Sequence, residues 1–261
     1  MLQYELTDWY KGIGISLGLD RGLLVSHDGI LLVGEGMGIG ACSLQISGFT
    51  YFTSIKSISE TADALVLVGS LDRRLEWAVL GVRSRLLTSI LEFITTYIYM
   101  KHENKQQRML KYGSLFRRFF RVTPNFVNVS PRAEVMISYT AGQDKIDVEV
   151  SYKAKKPGGR LFIMNELDGN IFAEGITDGV RTPPPTGWQK VSGTCELYSC
   201  SNKLSFTISE RHIPENVLGT IYWGRESCRD YCWAGFESKL TCSAKEFDNY
   251  KYTIIFQEAR K

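Results

Sequence analysis

The segment 222–237 concentrates side chains that could do chemistry. In it, two tryptophans, Trp223 and Trp233, flank the charged residues Arg225 and Glu226. A planar guanidinium can orient a polar ligand group, and a glutamate beside aromatic rings can have a raised pKa and exchange protons. We therefore predict that Glu226 is catalytic and that Arg225 orients the ligand. Trp223 and Trp233 would be pocket walls. The alternative is an aromatic edge of the core, closed by an Arg–Glu pair.

Alternation along the same segment predicts which of its side chains share a face. Neighbouring residues of a strand point to opposite faces of the sheet. Tyr222, Gly224 and Glu226 therefore belong to one face, whereas Trp223 and Arg225 belong to the other. We include Tyr222 among the ligand-binding candidates because its ring can form part of a pocket wall.

A second catalytic candidate, Glu35, lies in a glycine-rich stretch. Apart from Ser16, glycine occupies every second position from 12 to 18 and again from 34 to 40. Such strands are bare on one face, which predicts a close approach by a ligand, a second sheet or the long helix of the chain. Glu35 is a carboxylate in an apolar row, and Gly36 and Gly38 are predicted to line the ligand site.

Other carboxylates leave a carbohydrate-related alternative open. They stand at Glu166, Asp168, Glu174 and Asp178, and two carboxylates facing each other across a cleft would suit glycoside hydrolysis, with tryptophans as stacking platforms. Most of them, however, stand beside glycine in predicted turns, where such side chains bond the local backbone. The three histidines suggest no catalytic triad, and we expect neither a metal nor a cofactor.

The six cysteines do not have the spacing of zinc ribbons. They stand at Cys42, Cys195, Cys200, Cys228, Cys232 and Cys242. In a cytoplasmic protein most of them would be reduced thiols. A disulfide joining Cys195 to Cys200 or Cys228 to Cys232 is the alternative.

The elements that must position these residues are mainly strands. About a dozen short apolar runs with alternating character, separated by turn residues, predict an antiparallel β-sandwich or barrel-like sheets. The pattern changes to a helical period from about 82 to 112, where apolar residues recur every three or four positions and Gly113 follows as a cap. We expect this one long amphipathic helix to pack on or beside a sheet.

The helix also marks a candidate boundary within the chain. Residues 1–121 form a β-rich segment that ends with the helix, and residues 122–261 form an all-β segment, although a single domain is also compatible with the pattern. Basic residues cluster near this boundary, at Lys101, Lys105, Arg108, Lys111, Arg117, Arg118 and Arg121. They are either a solvated helix face or a surface for a membrane or another partner.

Composition and charge limit which partners and which cellular location we expect for the protein. The net charge of +3 is too small to indicate a nucleic-acid partner. The N-terminal residues lack the apolar core of a secretory signal, and the apolar run 86–100 is interrupted by Glu92 and is too short to cross a bilayer. We therefore expect a soluble, cytoplasmic protein, with peripheral membrane contact as a less favoured option.

Three functions remain open at this point, and the sequence does not decide whether the protein is an enzyme. The first is the binding of a small, largely apolar molecule in a pocket between β-sheets, with or without acid–base catalysis of the isomerase, hydratase or cyclase type. The second is a carbohydrate-active or carbohydrate-binding β-sandwich. The third is a non-catalytic interaction protein that uses the basic helix. The sequence leaves the oligomeric state undetermined.

Overall fold

Antiparallel strands and one helix make up the computed structural model, which describes residues 13–17, 22–27, 30–34, 36–61, 64–101, 118–142, 145–201, 203–228, 231–242 and 244–258. The elements in chain order are β1 (Ile13–Leu17), β2 (Leu23–His27), β3 (Ile30–Leu31), β4 (Gly38–Ile46), β5 (Phe49–Glu60), β6 (Ala64–Val79), β7 (Val82–Arg83), α1 (Arg85–Lys101), β8 (Thr123–Asn128), β9 (Ala133–Ala141), β10 (Lys145–Ala154), β11 (Arg160–Asp168), β12 (Glu174–Thr177), β13 (Val180–Thr182), β14 (Gly187–Lys190), β15 (Cys195–Ser199), β16 (Leu204–His212), β17 (Val217–Cys228), β18 (Tyr231–Cys242) and β19 (Glu246–Glu258). The predicted fold class is confirmed.

Hydrogen bonding arranges most of the strands in two series. The first sheet has the order β6–β9–β10–β19–β16–β15–β12–β13. The second sheet has the order β5–β4–β11–β18–β17–β14. The long β5–β6 hairpin joins them. The pairs β4–β11, β6–β8 and β6–β9 cross residue 121, while the division into two segments stays a prediction.

The core lies between these two sheets. Phe206 of the first sheet packs edge-on against Phe236 of the second, with ring centroids 5.4 Å apart. The Tyr252 hydroxyl of β19 donates to Asn165 Oδ1 of β11 over 3.0 Å, deep inside the protein. Large apolar and aromatic side chains from both sheets therefore leave water together, which is the main source of stability in such a sandwich.

Helix α1 begins three residues later than the apolar pattern predicts. Leu80 and Gly81 both have positive φ, so the chain turns back there and Val82–Arg83 pairs with the end of β6. Ser84 then caps the helix, because its hydroxyl accepts the Leu87 N–H over 3.3 Å. The predicted cap at Gly113 lies outside the described residues.

Polar side chains attach α1 to the sheet. The Trp77 backbone N–H donates to Thr88 Oγ1 over 2.9 Å, and the Trp77 indole N–H donates to Glu92 Oε1 over 2.8 Å. The Thr50 hydroxyl donates to the second oxygen of Glu92, also over 2.8 Å. The helix therefore lies beside β5 and β6 as expected, and the polar side chains of Thr88 and Glu92 make hydrogen bonds in this contact.

Four of the cysteines are free thiols, namely Cys42, Cys195, Cys200 and Cys232. Because each of the two candidate disulfides includes at least one of them, neither of those bonds is present. The side chains of Cys228 and Cys242 lie outside the described residues.

We expect the melting temperature to be the same with and without a reductant. No bond that a reductant could break joins the four described thiols. Differential scanning fluorimetry in the two buffers measures this directly. A fall of several degrees with the reductant would contradict the thiol assignment, since a disulfide typically contributes ~2–4 kcal/mol.

No helix within the described ranges is long and apolar enough to cross a membrane.

Candidate active site

A pair of glycines occupies the middle of the outward face of the second sheet. Gly224 of β17 lies directly opposite Gly235 of β18. The row continues on one side to Glu166 of β11 and on the other to Trp188 of β14. Because side chains of one row point to the same face, Glu166 and Trp188 stand on either side of a strip without side chains.

The two neighbouring rows complete the surroundings of the glycines. One row contains Glu237 opposite Tyr222, and the other contains Trp233 opposite Glu226. We call Glu166, Glu226 and Glu237 the glutamate cluster, and we call the sheet surface that carries them the site face. The glycine pair is thus bordered by three carboxyl groups and three aromatic rings.

The site face points away from the core. Along β11 and β18 the alternate residues that point the other way, such as Ile163, Ala234 and Phe236, are fully buried. On the site face, by contrast, Trp233 and Glu237 are half-buried, and Glu166 is 7% exposed. A ligand can therefore reach this surface from solvent.

Close approach of neighbouring backbones explains the glycines. A Cβ atom on Gly224 would overlap the carbonyl oxygen of Gly187, and one on Gly235 would overlap that of Asn165. No other residue fits without moving a strand. The bare floor of the site face is therefore a consequence of how tightly β14, β17, β18 and β11 are joined.

Glu166 is held by the segment that precedes β4. The Met37 N–H donates to Glu166 Oε2 over 3.0 Å, and Gly38 lies opposite Glu166 in the ladder. Burial raises the pKa of Glu166 to about 7, the Met37 N–H opposes this shift, and the charge of Glu226 adds to it. Glu166 is therefore divided between its two protonation states near neutral pH.

Glu237 has the more strongly raised pKa of the two. Burial is the largest cause, and the charges of Glu166 and Glu226 add to it, so the pKa rises to about 8 although Lys239 opposes the shift. Glu166 and Glu237 are diagonal neighbours on adjacent strands, about 7–8 Å apart at the backbone. A carboxylic acid and a carboxylate can therefore be present together at neutral pH, close enough to contact one small ligand.

Glu226, which the sequence predicts as catalytic, belongs to this cluster. The Trp188 indole N–H donates to Glu226 Oε1 over 2.9 Å. This contact fixes the carboxyl group at the edge of the glycine floor, next to its cross-strand neighbour Trp233. Tyr222 and Trp233, both predicted as ligand-binding, lie on the same face.

Trp223 and Arg225 lie on the opposite face of the sheet from Glu226. Trp223 is buried and packs against Gly175, and Arg225 Nε donates to Cys232 Sγ over 3.1 Å. Arg225 and Glu226 therefore point to different sides of the strand. The ligand-binding roles of Trp223 and Arg225 stay predictions.

The glycine stretch 34–40 borders Glu166 rather than the helix. Built Cβ atoms on Gly36, Gly38 and Gly40 would meet Glu166, Leu23 and Tyr139, respectively, and none would meet α1. Of the neighbours that the sequence left open for this stretch, these contacts therefore involve other strands and not the helix. Gly38 and Gly40 have φ of 77° and 76°, a conformation that favours glycine. Glu35, Gly12 and Gly18 lie outside the described residues.

Sequence reasoning missed Glu237 and Trp188 and set Glu166 aside as one of the turn carboxylates. The signal for Glu166 was present, because it stands in the apolar run 161–167, the same criterion that selects Glu35. Glu237 has the same parity as Trp233 on β18, so alternation would have placed both on one face. Nothing in the sequence places Trp188 beside Glu226.

Within the described residues, no group of three or more His, Cys, Asp or Glu side chains is arranged to hold a metal ion.

Comparison with solved structures shows the fold. No protein-family model matches the sequence, and no curated protein matches it.

An Escherichia coli K12 protein named as an aldose 1-epimerase superimposes with a TM-score of 0.50 at 8% identity, over 98% of this chain and 99% of its own. An Enterococcus faecalis α-mannosidase gives 0.44 at 11% identity, with 99% of this chain covering 30% of the enzyme. A Thermococcus litoralis 4-α-glucanotransferase gives 0.45 at 7% identity, with 95% of this chain covering 38% of that protein. The chain therefore has the β-sandwich fold of the Escherichia coli protein, a likeness that at this identity extends to the fold alone.

Proposed function

We propose that this protein binds an aldose on the site face and interconverts its anomers by acid–base catalysis. The observation that supports the proposal is the pair Glu166 and Glu237, which are diagonal neighbours on β11 and β18 beside the glycine floor. Their raised pKa values, about 7 and about 8, would let one act as a base and the other as an acid. Raised pKa values of this kind suit proton transfer at neutral pH.

The surroundings of the pair favour a sugar over an apolar ligand. Trp188, Trp233 and Tyr222 supply rings on which the C–H faces of a sugar can stack, and carboxylates accept hydrogen bonds from hydroxyl groups. An apolar molecule in the same place would remove water from the glutamate cluster without replacing its hydrogen bonds, which is costly.

One cavity in the interior is too small for an apolar ligand. A cavity between the two sheets, lined in part by Cys42 and Tyr139, has a volume of about 30 Å³. That is room for about one or two water molecules. This cavity does not support the hypothesis of an apolar ligand between the sheets.

The proposed chemistry needs one proton donor and one proton acceptor. Protonated Glu237 gives its proton to the ring oxygen while ionised Glu166 takes the proton of the anomeric hydroxyl. The bond between the anomeric carbon and the ring oxygen breaks, and the anomeric carbon becomes an aldehyde. After rotation about the adjacent carbon–carbon bond, the ring closes on the other face of the aldehyde. The ring hydroxyl returns its proton to Glu237, and Glu166 returns its proton to the new anomeric oxygen. Both glutamates are then in their starting protonation states, and the sugar has the same atoms as before.

Glu226 has a positioning role in this proposal. Its carboxyl group is fixed by Trp188, and its charge raises the pKa of both Glu166 and Glu237. The likeness in fold to a protein named as an aldose 1-epimerase agrees with this reaction, but only by analogy, since one fold serves many functions.

The test measures anomer exchange directly. Freshly dissolved single anomers of common aldoses are followed by polarimetry or proton NMR with the wild-type protein. The control is Glu246→Gln, at a carboxylate whose side chain is 65% exposed and pairs with Lys153 of β10 in the first sheet. We expect wild type and control to accelerate exchange equally. The absence of acceleration with every aldose would overturn the proposal, and hydrolysis of aryl glycosides without anomer exchange would replace it with glycoside hydrolysis.

The rate of exchange should follow a bell-shaped pH profile with its maximum between the two pKa values. The base must be ionised, which requires a pH above about 7, and the acid must be protonated, which requires a pH below about 8. We expect kcat/KM to fall about tenfold per pH unit on either side. A profile that is flat across this range would show that neither group transfers a proton in the reaction.

A further inference from the structure

The apolar face of α1 points to solvent. Leu86, Ile90, Phe93 and Ile94 recur at the spacing of one helix face, and all four are exposed, Leu86 by 73% and Phe93 by 66%. The opposite face, with the fully buried Thr88, makes the contacts to Trp77 described above. Among the described side chains of the helix, at residues 85–94, the most exposed positions include large apolar residues, whereas the fully buried position is the polar Thr88.

Neighbouring segments enlarge this surface. The turn at Leu80 and the residue Val82 are exposed, and Leu80 N–H donates to the Phe120 carbonyl over 2.9 Å, which brings the exposed Phe119 to the same region. We call these side chains the apolar patch: Leu80, Val82, Leu86, Ile90, Phe93, Ile94 and Phe119. Contiguous exposed apolar surfaces of this kind mark places where something binds.

Exposed arginines are close in sequence to the apolar patch. Arg83, Arg118 and Arg121 are exposed, and Arg85 is exposed with its Nε 3.9 Å from Glu76. Glu92, by contrast, is turned toward the sheet by its bonds to Thr50 and Trp77. The sequence is strongly asymmetric here. Residues 80–121 contain nine Lys or Arg and two Asp or Glu, a net charge of +7, whereas the whole chain has +3 and the remainder therefore −4.

We propose that the apolar patch binds the surface of an anionic phospholipid bilayer. Lipid headgroups supply the negative charge that the arginines attract, and the boundary with the acyl chains accepts Leu, Ile and Phe side chains. A nucleic acid offers the charge but no apolar surface for the aliphatic residues. A second copy of the chain would bring like charges together at the rim. This proposal is independent of the enzymatic one.

Vesicle flotation with the full chain tests the proposal. Two lipid compositions are compared, phosphatidylcholine alone and phosphatidylcholine with about 30% phosphatidylglycerol. The test variant carries Leu86→Ser and Phe93→Ser. The matched control is Leu218→Ser, because Leu218 is 77% exposed on β17 and lies outside the apolar patch. A melting curve for each variant verifies that the fold is intact.

We expect at least about tenfold more binding to the anionic vesicles than to the neutral ones, and we expect ~0.5 M salt to abolish most of it. Leu86→Ser with Phe93→Ser should reduce binding at least about fivefold, and Leu218→Ser should not change it. Equal binding to both lipids, or equal loss in the control, would overturn the proposal. Failure of the wild type to bind vesicles would also overturn the proposal. If the wild type then bound an oligonucleotide or associated with itself, and the double variant lost that property, the partner would be a nucleic acid or a second copy of the chain.

Discussion

Replacement of Glu166 by glutamine is expected to remove most of the anomer exchange and, at alkaline pH, to stabilise the protein. Glutamine keeps an oxygen that can accept the Met37 N–H but cannot exchange a proton. Loss of a general base typically lowers the rate by about 10²–10⁴-fold. A residue that only supported the fold would not lose activity while gaining stability.

The sign of the stability change follows from the raised pKa. The folded-state pKa of Glu166 is about 7 against an ordinary value of 4.5, so the folded protein holds a proton that the unfolded chain releases between these values. This contribution is fully present below the ordinary pKa and is lost as the pH rises through about 7. Over that range it corresponds to ~3 kcal/mol, which the glutamine variant should not lose.

Melting curves from about pH 5 to pH 9 measure this effect. The melting temperature of the wild type should fall with rising pH relative to that of Glu166→Gln, and the two curves should meet at the acid end. Glu246→Gln, at an exposed carboxylate, should follow the wild type. The prediction would be wrong if the melting temperatures of Glu166→Gln, Glu246→Gln and the wild type all changed with pH in the same way. Glu166 would then be ionised in the folded protein at neutral pH, and its pKa would not be raised.

Gly235→Ala should be among the most destabilising single-methyl substitutions in the chain. The new Cβ would overlap the carbonyl oxygen of Asn165, and neither β11 nor β18 can move aside, because each is paired on both sides. We expect a loss of ~3 kcal/mol or more in the free energy of unfolding, or a fall of about 6–12 °C in the melting temperature.

Two other alanine variants distinguish the effect of atomic overlap at the new Cβ from the cost of a positive φ. Gly224→Ala also overlaps a backbone oxygen, but its neighbour is the four-residue β14, which can shift. This variant should lose less stability and should lose activity, since β14 carries Trp188. Gly179→Ala has open space around its Cβ and only the cost of a positive φ, about 1–2 kcal/mol. Equal melting temperatures for Gly235→Ala and Gly179→Ala would contradict the overlap argument.

Local pattern was sufficient for much of the fold. The hairpin around Gly142 is present as β9 and β10, and the hairpin around Cys200 is present as β15 and β16. Each of these depends on two apolar runs and the turn between them, so that neighbours in sequence become neighbours in space. The helix follows likewise from its own period. Its orientation does not, because it depends on the half-buried Trp77, whose two N–H groups bond the polar partners Thr88 and Glu92.

The candidate site likewise depends in part on local sequence pattern and in part on the pairing of distant strands. Alternation alone places Tyr222, Gly224 and Glu226 on one face, because that property is local to the strand. The position of Glu166 beside Gly235 depends instead on β11 pairing with both β4 and β18, strands far from it in sequence. The raised pKa values arise only after that pairing, since they come from burial and from the other carboxylates. The sequence therefore determined which residues share a strand face, and the tertiary structure decided which faces meet and which carboxyl groups keep a proton.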